Sequence, residues 1–155
     1  MSTHEGNLIL NPGEGKTVLV PGHKITHKIS GEDTDGRFSL LEVELNGDGP
    51  PQHIHKTEDE TFYVLEGEVK FLLGEHTSIA KAGTFVNIPR GTRHAFCRVD
   101  KKNAKLLATF TPAGFEKFFD EAIDVDVTDT EAYVAKAKEL AKKYNMEIVG
   151  PPLDA

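Results

Sequence analysis

The stretch Gly47-Asp48-Gly49-Pro50-Pro51-Gln52-His53-Ile54-His55-Lys56-Thr57-Glu58-Asp59-Glu60-Thr61-Phe62-Tyr63-Val64-Leu65-Glu66-Gly67 decides how this chain reads. Asn46 to Pro51 is a loop by composition, and it leads into His53-Ile54-His55, a His-x-His in an extended segment. Side chains at i and i+2 of a strand point to one face, so two imidazoles spaced in this way can converge on one ion. Glu60 follows five residues after His55. A second stretch, Gly83-Thr84-Phe85-Val86-Asn87-Ile88-Pro89-Arg90-Gly91-Thr92-Arg93-His94, ends on a histidine that a neighbouring strand could bring opposite the first pair. His53, His55, Glu60 and His94 together would present three neutral imidazoles and one carboxylate. That donor set suits one divalent transition metal, Fe, Mn, Co, Ni, Cu or Zn, and leaves the choice among them open. It does not suit Ca or Mg, which prefer all-oxygen sites.

The segments on either side have strand character. Thr17 to Val20 is β-rich and stops at Pro21-Gly22, and Lys24 to Ile29 stops at Ser30-Gly31. Phe38 to Leu45 alternates, with Leu41, Val43 and Leu45 on one face and Glu42 and Glu44 on the other. Strands are predicted at Thr61–Leu65, Val69–Leu73, Thr77–Ala80, Thr84–Ile88, His94–Val99 and Leu106–Thr111. Turns every 8–12 residues or so suggest an all-β sandwich or barrel. Gly67 and Gly83 fall where tight turns need positive φ or close approach. Pro89 and Gly91 shape the turn that delivers His94. Lys101-Lys102-Asn103-Ala104-Lys105 reads as a solvated hairpin turn.

Beyond residue 111 the period changes to that of helices. Thr111-Pro112 suggests an N-cap with proline at the first helical position, ahead of a stripe of Phe115, Phe118, Phe119 and Ala122. Thr128-Asp129-Thr130-Glu131 reads as a capping box. Tyr133, Val134, Ala137, Leu140, Ala141 and Tyr144 follow at helical spacing, with Asn145 as the stop. Both helices are expected to cover a barrel surface or a subunit contact. The expected organisation is one domain over 1–155, with a barrel at about 16–111 and a helical tail at about 112–146.

The bulk composition narrows the function classes. With 38% hydrophobic and 28% charged residues, the 155-residue chain has the make-up of an ordinary globular domain with one core. A net charge of −7 argues against a nucleic-acid partner, which would call for a basic patch. No apolar run approaches the roughly 18–20 residues that cross a bilayer, so no membrane partner is expected. The polar start Met1-Ser2-Thr3-His4-Glu5-Gly6 lacks a signal-peptide core, and the single Cys97 cannot form an internal disulfide. A cytoplasmic location is the expectation. His4, His23, His27 and His76 sit in no usable ligand pattern and read as exposed or structural. His23 and His27 are four apart, a spacing that suits chelation on a helix but not on a strand.

Gly47-x5-His53-x-His55-x4-Glu60-x6-Gly67 and Gly83-x5-Pro89-x-Gly91-x2-His94 match, spacing by spacing, the two motifs of the cupin superfamily. The chain resembles the single-domain cupins. The resemblance implies a double-stranded β-helix, or jelly-roll, barrel with a helical extension at the C-terminal end. It also implies the metal ligands His53, His55, Glu60 and His94. The second motif usually closes on Asn four residues after its histidine, where this chain has Arg98. The wider stretches Gly49–Gly67 and Ile88–Phe96, with Pro112-Ala113-Gly114-Phe115-Glu116, look like the cupins grouped as quercetin 2,3-dioxygenase-like.

That likeness implies an oxidoreductase: a dioxygenase acting on a flavonol or similar small enol, with Glu60 as catalytic base as well as ligand. Non-redox isomerase, lyase or hydrolase chemistry on a small oxygen-rich molecule, and a small-molecule-binding barrel without turnover, are the alternatives. Homodimers are common among small cupins, which implies one here. Phe62, Tyr63, Phe71, Phe85 and Phe96 are the candidates to line the barrel. Phe62 and Val64 share one face and Tyr63 and Leu65 the other, with the interior face undecided.

Overall fold

The computed structural model describes residues 6–123, 126 and 128–154; His4 and the start of the chain lie outside the described residues. Eleven strands and two helices follow in order: β1 Lys16–Val20, β2 His23–Ile29, β3 Ser39–Leu45, β4 Pro51–His55, β5 Asp59–Glu66, β6 Glu68–Leu73, β7 His76–Lys81, β8 Phe85–Ile88, β9 His94–Arg98, β10 Ala104–Thr111, α1 Glu116–Ala122, α2 Thr130–Lys143 and β11 Met146–Pro152. They form two antiparallel sheets, ordered β1-β2-β3-β10-β5-β8 and β11-β4-β9-β6-β7. This is the jelly-roll barrel that the strand spacing and the resemblance imply.

Alternation decides what fills the barrel. Leu41, Val43 and Leu45 of β3 pair across β10 with Ala108, Leu106 and Ala104, and all six are buried. The face left open on β5 resolves in the same way. Phe62 and Val64 are buried, whereas Tyr63 points out and is 44% exposed. From the other sheet Val69, Phe71 and Phe96 meet them, with the Phe62 and Phe96 ring centroids 5.0 Å apart. Each such large side chain removed from water contributes about 1.5–3 kcal/mol before entropy is counted. Gly67 and Gly83 have φ of +75° and +92°, as their turns require.

The tail departs from its expected form in three ways. Thr111 is the last residue of β10 and does not cap a helix. Helix α1 begins at Glu116, and its N-cap Phe115 makes no side-chain cap bond. At α2 the cap is Asp129, whose carboxylate accepts from Ala132 N, because Thr128 is already committed to Asp126 Oδ1 through both its N–H and its hydroxyl. The chain also does not end in helix. Asn145 takes φ +55°, and β11 then runs back antiparallel to β4, joining Met146 to His55 and Ile148 to His53. The two helices cover the barrel, as expected of them. Phe115, Phe118, Ala122, Ala137, Leu140 and Ala141 are buried in the same core as the barrel residues.

The 99–103 turn is likewise no hairpin. It carries the chain from β9 in one sheet to β10 in the other, with Asp100 and Lys101 at positive φ. Arg98 holds this crossing. Its Nε donates to Gly47 O at 2.9 Å, and its Nη1 donates to Lys101 O and to Asn103 Oδ1. The position that departs from the usual second motif is therefore a strut between two loops.

Candidate metal centre

Four strand residues bring the predicted ligands together. β4 supplies His53 and His55 from one face, β9 supplies His94 directly opposite His53, and β5 supplies Glu60 from the other sheet. Each turn is under its own constraint. Gly91, at φ +83°, donates its N–H to His55 O at 2.8 Å and so pins the turn before His94 onto β4. Gly49 passes so close to Phe96 that a Cβ there would lie 1.8 Å from the Phe96 carbonyl oxygen, which leaves glycine as the residue that fits.

One donor atom from each of His53, His55, Glu60 and His94 lies within 4.8 Å of the other three, and all four side chains are buried. His53 Nδ1 donates to Pro51 O at 2.7 Å, and His94 Nδ1 donates to Thr92 O at 2.9 Å. A carbonyl can only accept, so each of these rings carries its hydrogen on Nδ1 and keeps Nε2 for the cluster. Glu60 Oε2 lies 3.1 Å from His94 Nε2 and 3.2 Å from His55 Nε2.

The electrostatics suit ligation. Burial, reinforced by the two neighbouring imidazoles, pushes His53 well below its ordinary value and keeps it neutral. Burial by itself would raise Glu60, but the charges and hydrogen bonds of His55 and His94 outweigh it and hold the carboxyl far below the usual carboxylate range. Burial disfavours the charged form of His94 as well; the hydrogen bond and charge of Glu60 overcome this and raise its value. A buried carboxylate whose only protein partners among the described residues are the imidazoles beside it is a donor set that a divalent cation fits. His55 Nδ1 is buried without a hydrogen-bond partner and faces the equally buried Glu58 Oε2 at 4.0 Å.

A cavity of about 360 Å³ opens onto the cluster and touches His53, His55 and Glu60. Its walls include Ile25, Leu41, Val43, Phe62, Phe96 and Phe110 from the barrel, and Phe115, Phe118, Phe119 and Tyr133 from the helical tail. Among the described residues no lysine or arginine lines it. Of the five aromatic candidates, Phe62 and Phe96 line the cavity. Phe71 is in the core behind it, and Tyr63 and Phe85 are on the outside.

Three of the histidines set aside are described, and they separate. His76 opens β7 at the surface. His27 Nε2 lies 3.1 Å from Asp120 Oδ1 of α1. His23 lines the cavity, a placement that four-residue spacing does not announce. The signal that could have found it is parity: His23 shares the inward face of β2 with Ile25. The tail aromatics were missed for another reason, since an amphipathic stripe does not say which surface it covers.

A family model described as a cupin domain matches residues 39–110. Quercetin 2,3-dioxygenase of Bacillus subtilis (strain 168) is 31% identical over 113 residues, 72% of this chain and 33% of that protein. The chain thus spans about a third of the length of this curated relative. Among solved structures, the polyketide cyclase RemF from Streptomyces resistomycificus superposes with a TM-score of 0.59 at 26% identity, covering 68% of this chain and 79% of that one. KdgF from Halomonas sp. gives a TM-score of 0.63 at 15% identity, covering 71% and 97%.

Proposed function

The chain belongs to the cupin superfamily, and we propose that it is a metal-dependent dioxygenase acting on a flavonol-like or other small aromatic enol. The unit that carries this function is the barrel together with its helical tail, over 1–155. The observation that carries the reading is the cavity wall. It is aromatic and aliphatic from the cluster outward, and no cation lines it among the described residues. A substrate rich in carboxylates would find no guanidinium or ammonium to pair with and would meet Asp48. A flat, neutral, polycyclic molecule would stack on Phe62, Phe96, Phe110 and Phe115 at little desolvation cost. The likeness to a quercetin 2,3-dioxygenase supports the same substrate class.

His53, His55, Glu60 and His94 would hold the metal, which supplies Lewis acidity and redox capacity when bound. The chain's own residues divide the remaining work. Glu60, kept ionised, is placed to take the enol proton. The Nδ1 hydrogen bonds of His53 and His94 fix which ring nitrogen each presents. Phe115 and Phe118, stacked 5.0 Å apart over the cluster side of the cavity, keep bulk water from the reacting end.

A second reading rests on one observation, the 26% identity to a polyketide cyclase. Under it the same cavity takes the same kind of aromatic enol, and Glu60 moves its proton without oxygen being consumed. A homodimer of a 17.0 kDa chain at a cytoplasmic location accompanies either reading, and sedimentation at twice the chain mass would show the dimer.

The test is elemental analysis of the purified protein, followed by oxygen-electrode assays of each reconstituted metal form with quercetin. Oxygen uptake in step with flavonol loss is expected. Product formed under nitrogen would move the assignment to the second reading, and a protein that neither retains nor takes up a transition metal would sink both.

A further inference from the structure

We propose that His23 is a polar anchor in the cavity wall, a hydrogen-bond acceptor for a phenolic hydroxyl on a substrate ring outside the four-ligand cluster. This rests on the reading of the cavity as a site for aromatic enols, and it adds which hydroxyl of such a molecule the protein recognises.

The ring's two nitrogens have different fates. His23 Nδ1 lies 3.1 Å from Pro21 O. The carbonyl accepts, so Nδ1 carries the hydrogen and Nε2 is left as a bare lone pair. Nε2 has no hydrogen-bond partner among the described residues, although the side chain lines the cavity. Pro21, Gly22, Gly49 and Pro50 share the cavity wall with it, and the Phe96 ring meets it edge-on at 6.1 Å. Burial holds the imidazole neutral, with its value pushed down to about 4. On a wall this apolar, a donor on the ligand would find in Nε2 an acceptor that no protein group among the described residues occupies.

Position gives the substrate its polarity. Phe96 is two residues along β9 from His94 on the same face, and the His23 ring meets Phe96 rather than any imidazole of the cluster. At about 3.3 Å per strand residue, Phe96 is itself about 7 Å along β9 from His94. An enol end at Glu60 would then leave the pendant-ring hydroxyl within reach of His23 Nε2, with the Phe62 and Phe96 rings against the molecule between them.

The test is anaerobic calorimetric titration of the metal-loaded protein with three flavonols that share the enol and fused rings. Galangin has no pendant-ring hydroxyl, kaempferol has one and quercetin has two. The wild-type protein is expected to bind kaempferol and quercetin roughly tenfold more tightly than galangin, the value of one satisfied buried hydrogen bond. His23→Phe keeps the aromatic bulk and removes the acceptor, so the preference should vanish while galangin binding holds. His23→Gln keeps an acceptor and should retain part of the preference, which covers the case in which the phenylalanine variant does not fold. Equal binding of all three flavonols by the wild type would overturn the anchor and leave the aromatic-enol reading standing. A preference that survives in His23→Phe or disappears in His23→Gln would also overturn the anchor. Failure of every flavonol to bind the wild type would overturn the anchor and the substrate reading together.

Discussion

Replacing Phe115 by alanine separates a tail that is part of the barrel core from one that only lies against it. Phe115 is 3% exposed. Its ring centroid is 4.3 Å from His55, 5.1 Å from Phe110 and 5.0 Å from Phe118, and it meets Phe119 at 5.7 Å. Truncation removes a buried aromatic and leaves a cavity between a ligand histidine and two helices that cannot close over it freely. Buried Phe→Ala changes cost about 3–5 kcal/mol. For a domain of this size each kcal/mol moves Tm by about 2–4 °C, so a loss of about 6–20 °C is expected. The assay is thermal and urea unfolding followed by circular dichroism on the metal-free protein, with Ile123→Ala as control. Ile123 is 44% exposed beside the same helix and should cost less than about 0.5 kcal/mol. Because Phe115 also buttresses the His55 ring, metal affinity should fall about tenfold in the same variant. A cost below about 1 kcal/mol for Phe115→Ala would refute the claim that the tail completes the core.

Three further outcomes follow from the site. His55→Ala should reduce retained metal to background in elemental analysis, since the remaining two imidazoles and one carboxylate leave a gap in the ligand set; full retention would mean that the ion is held elsewhere. Glu60→Gln should lower kcat by about 10²–10⁴ if the carboxylate is the base, measured by flavonol loss at matched metal content, and an unchanged rate would assign the proton transfer to another group. Acid should destabilise the metal-free protein. Burial depresses His23, to about 4, and also His27 and His53, so each binds its proton more readily when unfolded. Their stabilisation is complete above about pH 6.5 and is lost as pH falls toward 4. Glu60, held low by its imidazole partners, adds a loss below its unfolded value. His94, raised by Glu60, acts in the opposite sense. Urea midpoints that do not decline between pH 7 and 4.5 would contradict this sum.

The sequence by itself determined the candidate ligand set and the barrel. His53 and His55 share a face because strand geometry has a period of two, and that relation needs no tertiary knowledge. Glu60 and His94 were legible through the glycines and proline around them, because Gly47, Gly67, Gly83 and Gly91 sit where φ or close approach excludes other residues. Alternation in β3 and β10 was legible for the same reason. Tertiary structure alone decided what surrounds the cluster. The interior face of β5 depended on which sheet it met, and a stripe such as Phe115-Phe118-Ala122 records that a helix is covered on one side without recording by what. β11 follows a helix stop in a segment with Gly150, Pro151 and Pro152, which reads as a loop until β4 offers an unpaired edge. His23 needed the most three-dimensional information. Parity with Ile25 turns it inward, but only closure of the barrel sets its free nitrogen at the wall of the cavity that touches His53, His55 and Glu60.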